Sequence, residues 1–316
     1  MIHITSQACF LWHTTINKIC NRPMFNPLTI RFWGVRGSIP CPGSHTVRYG
    51  GNTPCVEIQA NGQRIILDGG TGLRVLGEHL MGQQPVTAHL FFTHTHWDHI
   101  QGFPFFQPAF VPGNQFHIYA VPGKNGQGIE RRLNDQMLHP NFPVPLQIMG
   151  GDLRFYDLEV GERVHLGDGV VVSNEALNHP GGGVGYRVSW QGIHVAYITD
   201  TEHLPDRLHP GAFALADHAD VMIYDATYTD EEYYHPQQSK VGWGHSTWQE
   251  AVKLAQAAQV KQLILFHHDP SHDDDCLDRI GELARAQFPQ TLLAREGLII
   301  SVYPNVIHFP ATPQAS

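Results

Sequence analysis

Phe91–Gly102 reads FFTHTHWDHIQG, the densest run of metal-binding side chains in the sequence. It begins where the apolar run Ala88–Phe92 ends, which predicts a buried strand with the histidines on the loop leaving it. On extended backbone, residues two apart face the same way, so His94 and His96 can aim two imidazoles at one point. Asp98 and His99 follow at the entry of a turn or short helix and can face a second point nearby. Nitrogen donors for one ion and a carboxylate plus a nitrogen for its neighbour form a set that zinc accepts. The chain holds 22 histidines in 316 residues, but HxHxDH directly after a buried strand is a more specific pattern than composition supplies.

Outward from this stretch, Thr29–Trp33 alternates as a strand and Gly34–Gly50 is a Gly- and Pro-rich loop. Cys55–Ala60 and Arg64–Leu67 are predicted strands joined by Asn61-Gly62, a hairpin signal. Asp68 follows directly, ahead of glycines that permit a tight turn, and Leu73–Met81 reads as a helix. Downstream, Phe103–Asn114 reads as a loop, Phe116–Ala120 as a strand and Gly128–Leu138 as a helix. Leu153–Tyr156, Arg163–Leu166 and Val170–Leu177 read as strands of one meander, and Val184–Trp190 with His194–Ile198 as a hairpin. Asp220–Tyr224, Gln262–Phe266 and Leu298–Tyr303 are further strands. Asp273–Phe288 is a helix, and so is Ser246–Gln259, with a capping box from Thr247 to Glu250. Two β-rich blocks divided near Gly150, each with helices late in the block, suit a layered fold with the helices outside. His179, Asp200 and the pair His267/His268 each follow an apolar strand and complete the candidate ligands.

The HxHxDH segment resembles the signature of the metallo-β-lactamase superfamily, and later matches over Ile30–Ile300 resemble its ribonuclease Z and phosphodiesterase side. The resemblance implies an α+β fold, a four-layer αββα sandwich with a dinuclear metal centre on one edge. It implies His94, His96 and His179 on one ion, Asp98, His99 and His267 on the other, and Asp200 bridging. The cofactor it implies is two divalent ions, zinc ahead of manganese or iron. It favours His267 over His268, because His267 holds the family position in a strand–His–x–x–Pro pattern. Asp68 stands where the family uses an Asp to orient a ligating histidine.

Gly244-His245-Ser246-Thr247 and Tyr224-Asp225-Ala226-Thr227 resemble two motifs of ribonuclease Z-like phosphodiesterases. The resemblance implies that His245 touches the scissile phosphate and assists the leaving group, oriented by Asp225, where ribonuclease Z usually has Glu. A carboxylate favours the charged imidazole, which makes a better proton donor. The expected catalytic residues are thus His245, Asp225 and Asp98, and the expected substrate contacts His245, Ser246, Asn52 and Arg36. Hydrogen bonding to loop carbonyls is the other reading of Arg36.

The net charge is −9 and no long Lys/Arg run exists, whereas a large nucleic acid favours a broad basic surface. The long Gly/Pro/Lys-rich arm of the family's tRNA-processing members has no counterpart in Val111–Gly128, which holds a single Lys. A small phosphodiester is therefore the expected substrate, such as a cyclic nucleotide or cyclic phosphate. A tRNA 3′-processing endonuclease and a lactonase or β-lactamase are the alternatives. Phe103, Phe105, Phe106, Tyr233 and Trp243 are candidates to stack a base. Five cysteines without a CxxC predict reduced thiols and a cytoplasmic protein. No stretch reaches the ~18 apolar residues of a membrane helix. Residues 28–303 are expected to form one domain, 1–27 a poorly ordered extension and 304–316 a loose tail. The resemblance suggests a homodimer.

Overall fold

The computed structural model describes residues 27–304 and 306–309, so the expected extension 1–27 lies outside the described residues except for Pro27. Strands β1 (Leu28–Gly34), β2 (Cys55–Ala60) and β3 (Gln63–Leu67) pair antiparallel, and helix α1 (Thr71–Leu80) then crosses to β4 (Thr87–Phe92), parallel to β3. β4 is buried on both faces because both are covered. Phe91 joins the layer between the sheets, while Leu90 and Phe92 pack under helices. The one-turn helix α2 (Trp97–Ile100) follows at once. Phe103–Phe105 and Gln107–Phe110, expected as loop, form two short 3₁₀ turns.

β5 (Gln115–Ala120), helix α3 (Ile129–Gln136) and β6 (Asp152–Asp157) form a parallel crossover unit. This corrects the expected meander: β6 belongs to the first sheet, beside β5. The meander runs over β7 (Arg163–Gly167), β8 (Val170–Ala176), β9 (Val184–Trp190) and β10 (Ile193–Ile198). Helix α4 (Pro210–Ala216), β11 (Val221–Asp225), helices α5 (Asp230–Tyr233) and α6 (Trp248–Ala257), β12 (Gln262–Phe266), helix α7 (Asp274–Gln287) and β13 (Thr291–Leu293) follow. β10 to β13 are parallel neighbours. The expected capping box of α6 is half-formed. Thr247 Oγ1 accepts from the Glu250 N–H at 3.2 Å but donates to Asp230 Oδ1 at 2.6 Å, and the complete box is Thr229–Glu232 on α5.

β14 (Ile299–Tyr303) and β15 (Val306–His308) return to the first sheet. β15 lies in the stretch expected to be loose, where pairing of Ser301 with His308 ties it to β14. The first sheet has eight strands in the order β15-β14-β1-β2-β3-β4-β5-β6, and the second seven in the order β13-β12-β11-β10-β9-β8-β7. Phe32, Ile58 and Phe91 meet Val188, Tyr197 and Phe266 between them. Leu73 and Leu76 of α1 cover one outer face, and Leu215, Val252 and Leu277 cover the other. The result is an αββα sandwich. β3 and β4 are parallel, as are β10, β11 and β12, and two antiparallel steps make β8 parallel to β10. The C-terminal ends of these strands are where open sheets present ligand-binding loops.

Candidate metal centre and catalytic site

Every central residue of the site stands at one of those ends. Asp68 follows β3, His94–His99 follow β4, His179 follows β8, Asp200 follows β10, Asp225 ends β11 and His267 follows β12. Asp68, Asp200 and His267 have φ of 61°, 53° and 61°. That left-handed conformation is uncommon away from glycine and clusters at functional sites. It breaks each strand and turns the side chain into the space between the two sheets' edges.

The structure brings His94, His96, His179 and Asp200 together, and beside them Asp98, His99, His267 and the same Asp200. Within each group one ligand atom per residue lies within 4.8 Å of the others. Asp200 Oδ2 is 3.6 Å from Nε2 of both His94 and His179, and its Oδ1 is 3.1 Å from His99 Nε2 and 3.2 Å from His267 Nε2. Asp98 Oδ2 lies 3.3 Å from the same two Nε2 atoms. His268 is not part of the cluster, because its Nε2 lies 2.8 Å from the Ala294 carbonyl.

Four imidazoles turn Nε2 into the cluster because Nδ1 is engaged behind them. His99 Nδ1 donates to Asp68 Oδ2 at 2.9 Å, and His179 Nδ1 to the Gly244 carbonyl at 2.8 Å. His267 Nδ1 lies 3.0 Å from Thr227 Oγ1, whose hydroxyl is 2.7 Å from Asp225 Oδ1. His94 Nδ1 lies 3.1 Å from Thr93 Oγ1, which meets Asp68 at 3.0 Å. Nε2 of His94 and of His99 is buried and makes no hydrogen bond. His179 Nε2 and His96 Nδ1 face each other at 3.1 Å, two nitrogens converging on one space. Oriented imidazoles backed by carboxylates, hydroxyls and a carbonyl are how metal-binding histidines are held. The donor set therefore fits divalent ions.

The electrostatics agree. Burial first, then the neighbouring His99, holds His94 well below the usual imidazole pKa, in the neutral ligand form. Burial likewise lowers His96 and His179. Burial opposes charge on His99, but Asp200, Asp98 and Asp68 together outweigh it and hold its pKa well above the usual value. The carboxylates thus call for a cation at this point.

Two glycines make room. A Cβ on Gly37 would lie 2.4 Å from the His267 ring, and one on Gly244 2.5 Å from His179 Nδ1, where φ is +86°. Glu202, which sequence reasoning missed, holds the second of these loops. Its Oε1 accepts from the Gly242 N–H at 2.7 Å and its Oε2 from the Gly244 N–H at 2.9 Å.

His245 follows that loop. Its Nδ1 is 2.9 Å from Asp225 Oδ2, and Asp225 also accepts from the N–H groups of Thr201 and Thr227. Burial lowers the His245 pKa, but the Asp225 charge and hydrogen bond dominate and push it up to about 9. His245 shares a cavity of about 470 Å³ with Ser38, Thr95, His96, Trp97, Asp98 and Asp200. The Ser38 N–H also donates to Asp98 Oδ2 at 2.8 Å.

Three expected substrate contacts are placed elsewhere. Arg36 is fully buried, and its guanidinium donates to the carbonyls of Gly50, Asp269 and His272. It braces the loop, which was its other reading. Asn52 gives its N–H and Nδ2 to Glu296. Ser246 is buried, with Oγ against His203 Nδ1 and the Tyr224 hydroxyl. Of the expected stacking residues, Phe103, Phe106 and Tyr233 are buried, and only Phe105 and Trp243 are exposed.

Fold and cluster together define a metal-dependent hydrolase of the metallo-β-lactamase type. Residues 63–268 match the beta-lactamase superfamily domain, and the chain belongs to that superfamily. Ribonuclease Z of Gemmatimonas aurantiaca is 24% identical over 87% of this chain and 96% of its own length. Ribonuclease Z of Crocosphaera subtropica is 36% identical over 46% of this chain and 42% of its own. Among solved structures, the short form of human tRNase Z superposes with a TM-score of 0.61 at 20% identity, over 87% of this chain and 100% of that one. A diphosphatase of the PhnP family gives 0.62 at 20%, over 87% and 98%. At these identities the structural likenesses show the fold.

Proposed function

We propose that this hydrolase cleaves a phosphodiester bond in a small substrate such as a cyclic nucleotide or cyclic phosphate, with residues 28–303 as one catalytic domain working in a homodimer. The observation that carries the chemistry is the His245–Asp225 pair at 2.9 Å, opening on the same cavity as the ligand cluster. In our reading His94, His96 and His179 hold one ion, Asp98, His99 and His267 a second, and Asp200 is shared. The nitrogen-rich donor set favours zinc. Bound there, divalent ions supply Lewis acidity and make hydroxide available near neutral pH. The protein's own groups do the rest. Asp225 keeps His245 protonated, and the outward-facing Nε2 carries the proton to the departing oxygen and meets charge developing on the phosphoryl group. Asp68, Thr93 and Thr227 fix the imidazoles so that this geometry is preformed.

Hydrolysis of a lactone or β-lactam would use the cluster but has no call on a carboxylate-charged histidine beside it. The test compares bis-p-nitrophenyl phosphate, cyclic nucleotides, a lactone and a chromogenic cephalosporin on the metal-analysed protein and on His245→Ala. Diester turnover lost in the variant with metal content unchanged supports the reading. Lactone hydrolysis alone, indifferent to that substitution, defeats it.

A second reading is tRNA 3′-end processing, favoured by the full-length likeness to a ribonuclease Z. Against it, the connection between β5 and α3 is only residues 121–128, with the single lysine Lys124, and the net charge is −9. Cleavage of a precursor tRNA in preference to small diesters would select this reading.

A further inference from the structure

Trp97 opens α2 with 82% of its surface exposed, more than any other large apolar side chain among the described residues. Its chain neighbours His96 and Asp98 belong to the ligand cluster, and Trp97 lines the cavity with them, Asp200 and His245. Ring contacts join His94 to His96 and His179 to His245, but among the described residues none reaches Trp97. The backbone beneath it is nevertheless fixed. The Gln101 N–H donates to the Trp97 carbonyl at 2.8 Å, and the His99 N–H to the His96 carbonyl at 3.0 Å. A large apolar ring left this exposed on hydrogen-bonded backbone does nothing for the fold that a smaller polar residue would not do.

At about 470 Å³ the cavity falls within the ~300–1,000 Å³ of small-molecule sites, far more than a phosphoryl group fills. Its other walls are polar and hold charged groups. Such a site takes a ligand with an anionic part and a flat apolar part. Phe105 and Trp243, the exposed candidates for stacking, have neighbours already: Phe105 meets Phe142 edge-on at 5.5 Å, and the Lys240 ammonium stands 4.2 Å over the Trp243 ring. Bases stack on aromatic side chains whatever their identity, because every base has a π face.

We infer that Trp97 is the platform on which a nucleobase of the substrate stacks, so that the diester carries a nucleoside and not merely a small alkyl group. This rests on the phosphodiesterase reading and adds the nature of one substituent on phosphorus.

The test uses the full zinc-loaded chain and two esters with the same leaving group, thymidine 5′-(p-nitrophenyl phosphate) and methyl p-nitrophenyl phosphate. The wild type prefers the nucleoside ester in kcat/KM. Trp97→Ala reduces that preference about tenfold, mainly through KM, and Trp97→Phe keeps most of it. In parallel, thymidine 5′-monophosphate quenches tryptophan fluorescence of the wild type, and the quench disappears in Trp97→Phe. A preference unmoved by Trp97→Ala, with the quench intact in Trp97→Phe, overturns the platform. So does an unmoved preference with a changed sedimentation coefficient, which assigns the ring to contact between copies of the chain. A wild type inert toward both esters that still shows the Trp97-dependent quench overturns the phosphodiesterase reading and leaves the platform supported by binding.

Discussion

His245 Nδ1 donates to Asp225 Oδ2 at 2.9 Å, and Asp225 is fully buried with both oxygens engaged. The carboxylate cannot turn away from the imidazole, so its charge acts on His245 in every state of the site. Burial works against the Asp225 anion, yet its attraction to His245 wins and keeps its pKa below the usual value.

A pH dependence follows. Against burial, Asp225 pushes the His245 pKa up to about 9 before any cation is bound, and bound cations lower it, so diester turnover that needs this proton falls as pH rises toward that region. Asp225→Asn removes the neighbouring negative charge, disfavours the imidazolium and moves the descending limb to lower pH. Bound cations act on both proteins alike, so the quantity to read is the difference between the two kcat/KM–pH profiles. Identical alkaline limbs would show that Asp225 does not set the proton affinity of His245.

Asp98 and Asp200 are buried beside each other, and without a cation they rely on His99 for charge. Zinc is expected to raise the melting temperature and a chelator to lower it. A site at a free-metal concentration of 100 Kd contributes about 2.7 kcal/mol. Asp200→Asn is expected to abolish the zinc-induced rise. Without metal, it is expected to melt lower than the metal-free wild type near pH 7: burial opposes the Asp200 anion, but His267, His99 and His94 outweigh it and hold its pKa well below the usual value, so its charge stabilises the fold at that pH. Thermal melts of both proteins with and without zinc read the two effects separately.

What the sequence disclosed was local. An apolar strand followed by His or Asp is visible in one dimension, which is why the residues after β4, β8, β10 and β12 stood out. Their convergence was not visible, since it depends on parallel strands sharing one edge. β6 was misplaced because Leu153 and Phe155 alternate as they would in either sheet, and only the α3 crossover assigns it to the first. β13 and β15 have three residues each, too short for any period to register. Arg36 and Asn52 misled for another reason. Polar residues in a Gly-rich loop read as surface groups, and only folding shows that carbonyls and Glu296 claim them. Trp97 lay inside the stretch read first and was passed over, because nothing in sequence distinguishes a buried tryptophan from an exposed one.

Glu202 is expected to act at a distance. Its carboxylate accepts from the Gly242 and Gly244 N–H groups, and the Gly244 carbonyl accepts from His179 Nδ1 at 2.8 Å. In Glu202→Gln one acceptor becomes an amide that faces a donor, and the loop is released. The expected result is a ~10–100-fold loss in zinc affinity of the His179 site or in turnover, the range seen when outer partners of metal ligands are removed. Competition with a chromogenic chelator measures the affinity directly. Unchanged affinity and turnover would make the Glu202 contacts redundant.

Away from the site, His89 on β4 makes an acid-sensitive element. It stacks on His117 with centroids 4.9 Å apart, and its Nδ1 lies 3.3 Å from the Tyr119 hydroxyl. Burial, followed by repulsion from His117, lowers its pKa to about 4. An unfolded chain takes up this proton near pH 6.5, the folded one only near 4, so between these values the unfolded state binds more protons. The folded protein therefore loses stability as pH falls from about 6.5 toward 4, and the loss is absent above that window. His89→Phe keeps a stacked ring without the ionisable nitrogens. It gives up the contact to Tyr119 and starts from a lower stability at pH 7.5, but its stability falls less steeply on acidification. Urea midpoints across pH 4.5–7.5 separate the two effects, since the level reports the lost contact and the slope reports the proton. Parallel slopes for wild type and variant would remove His89 from the acid response.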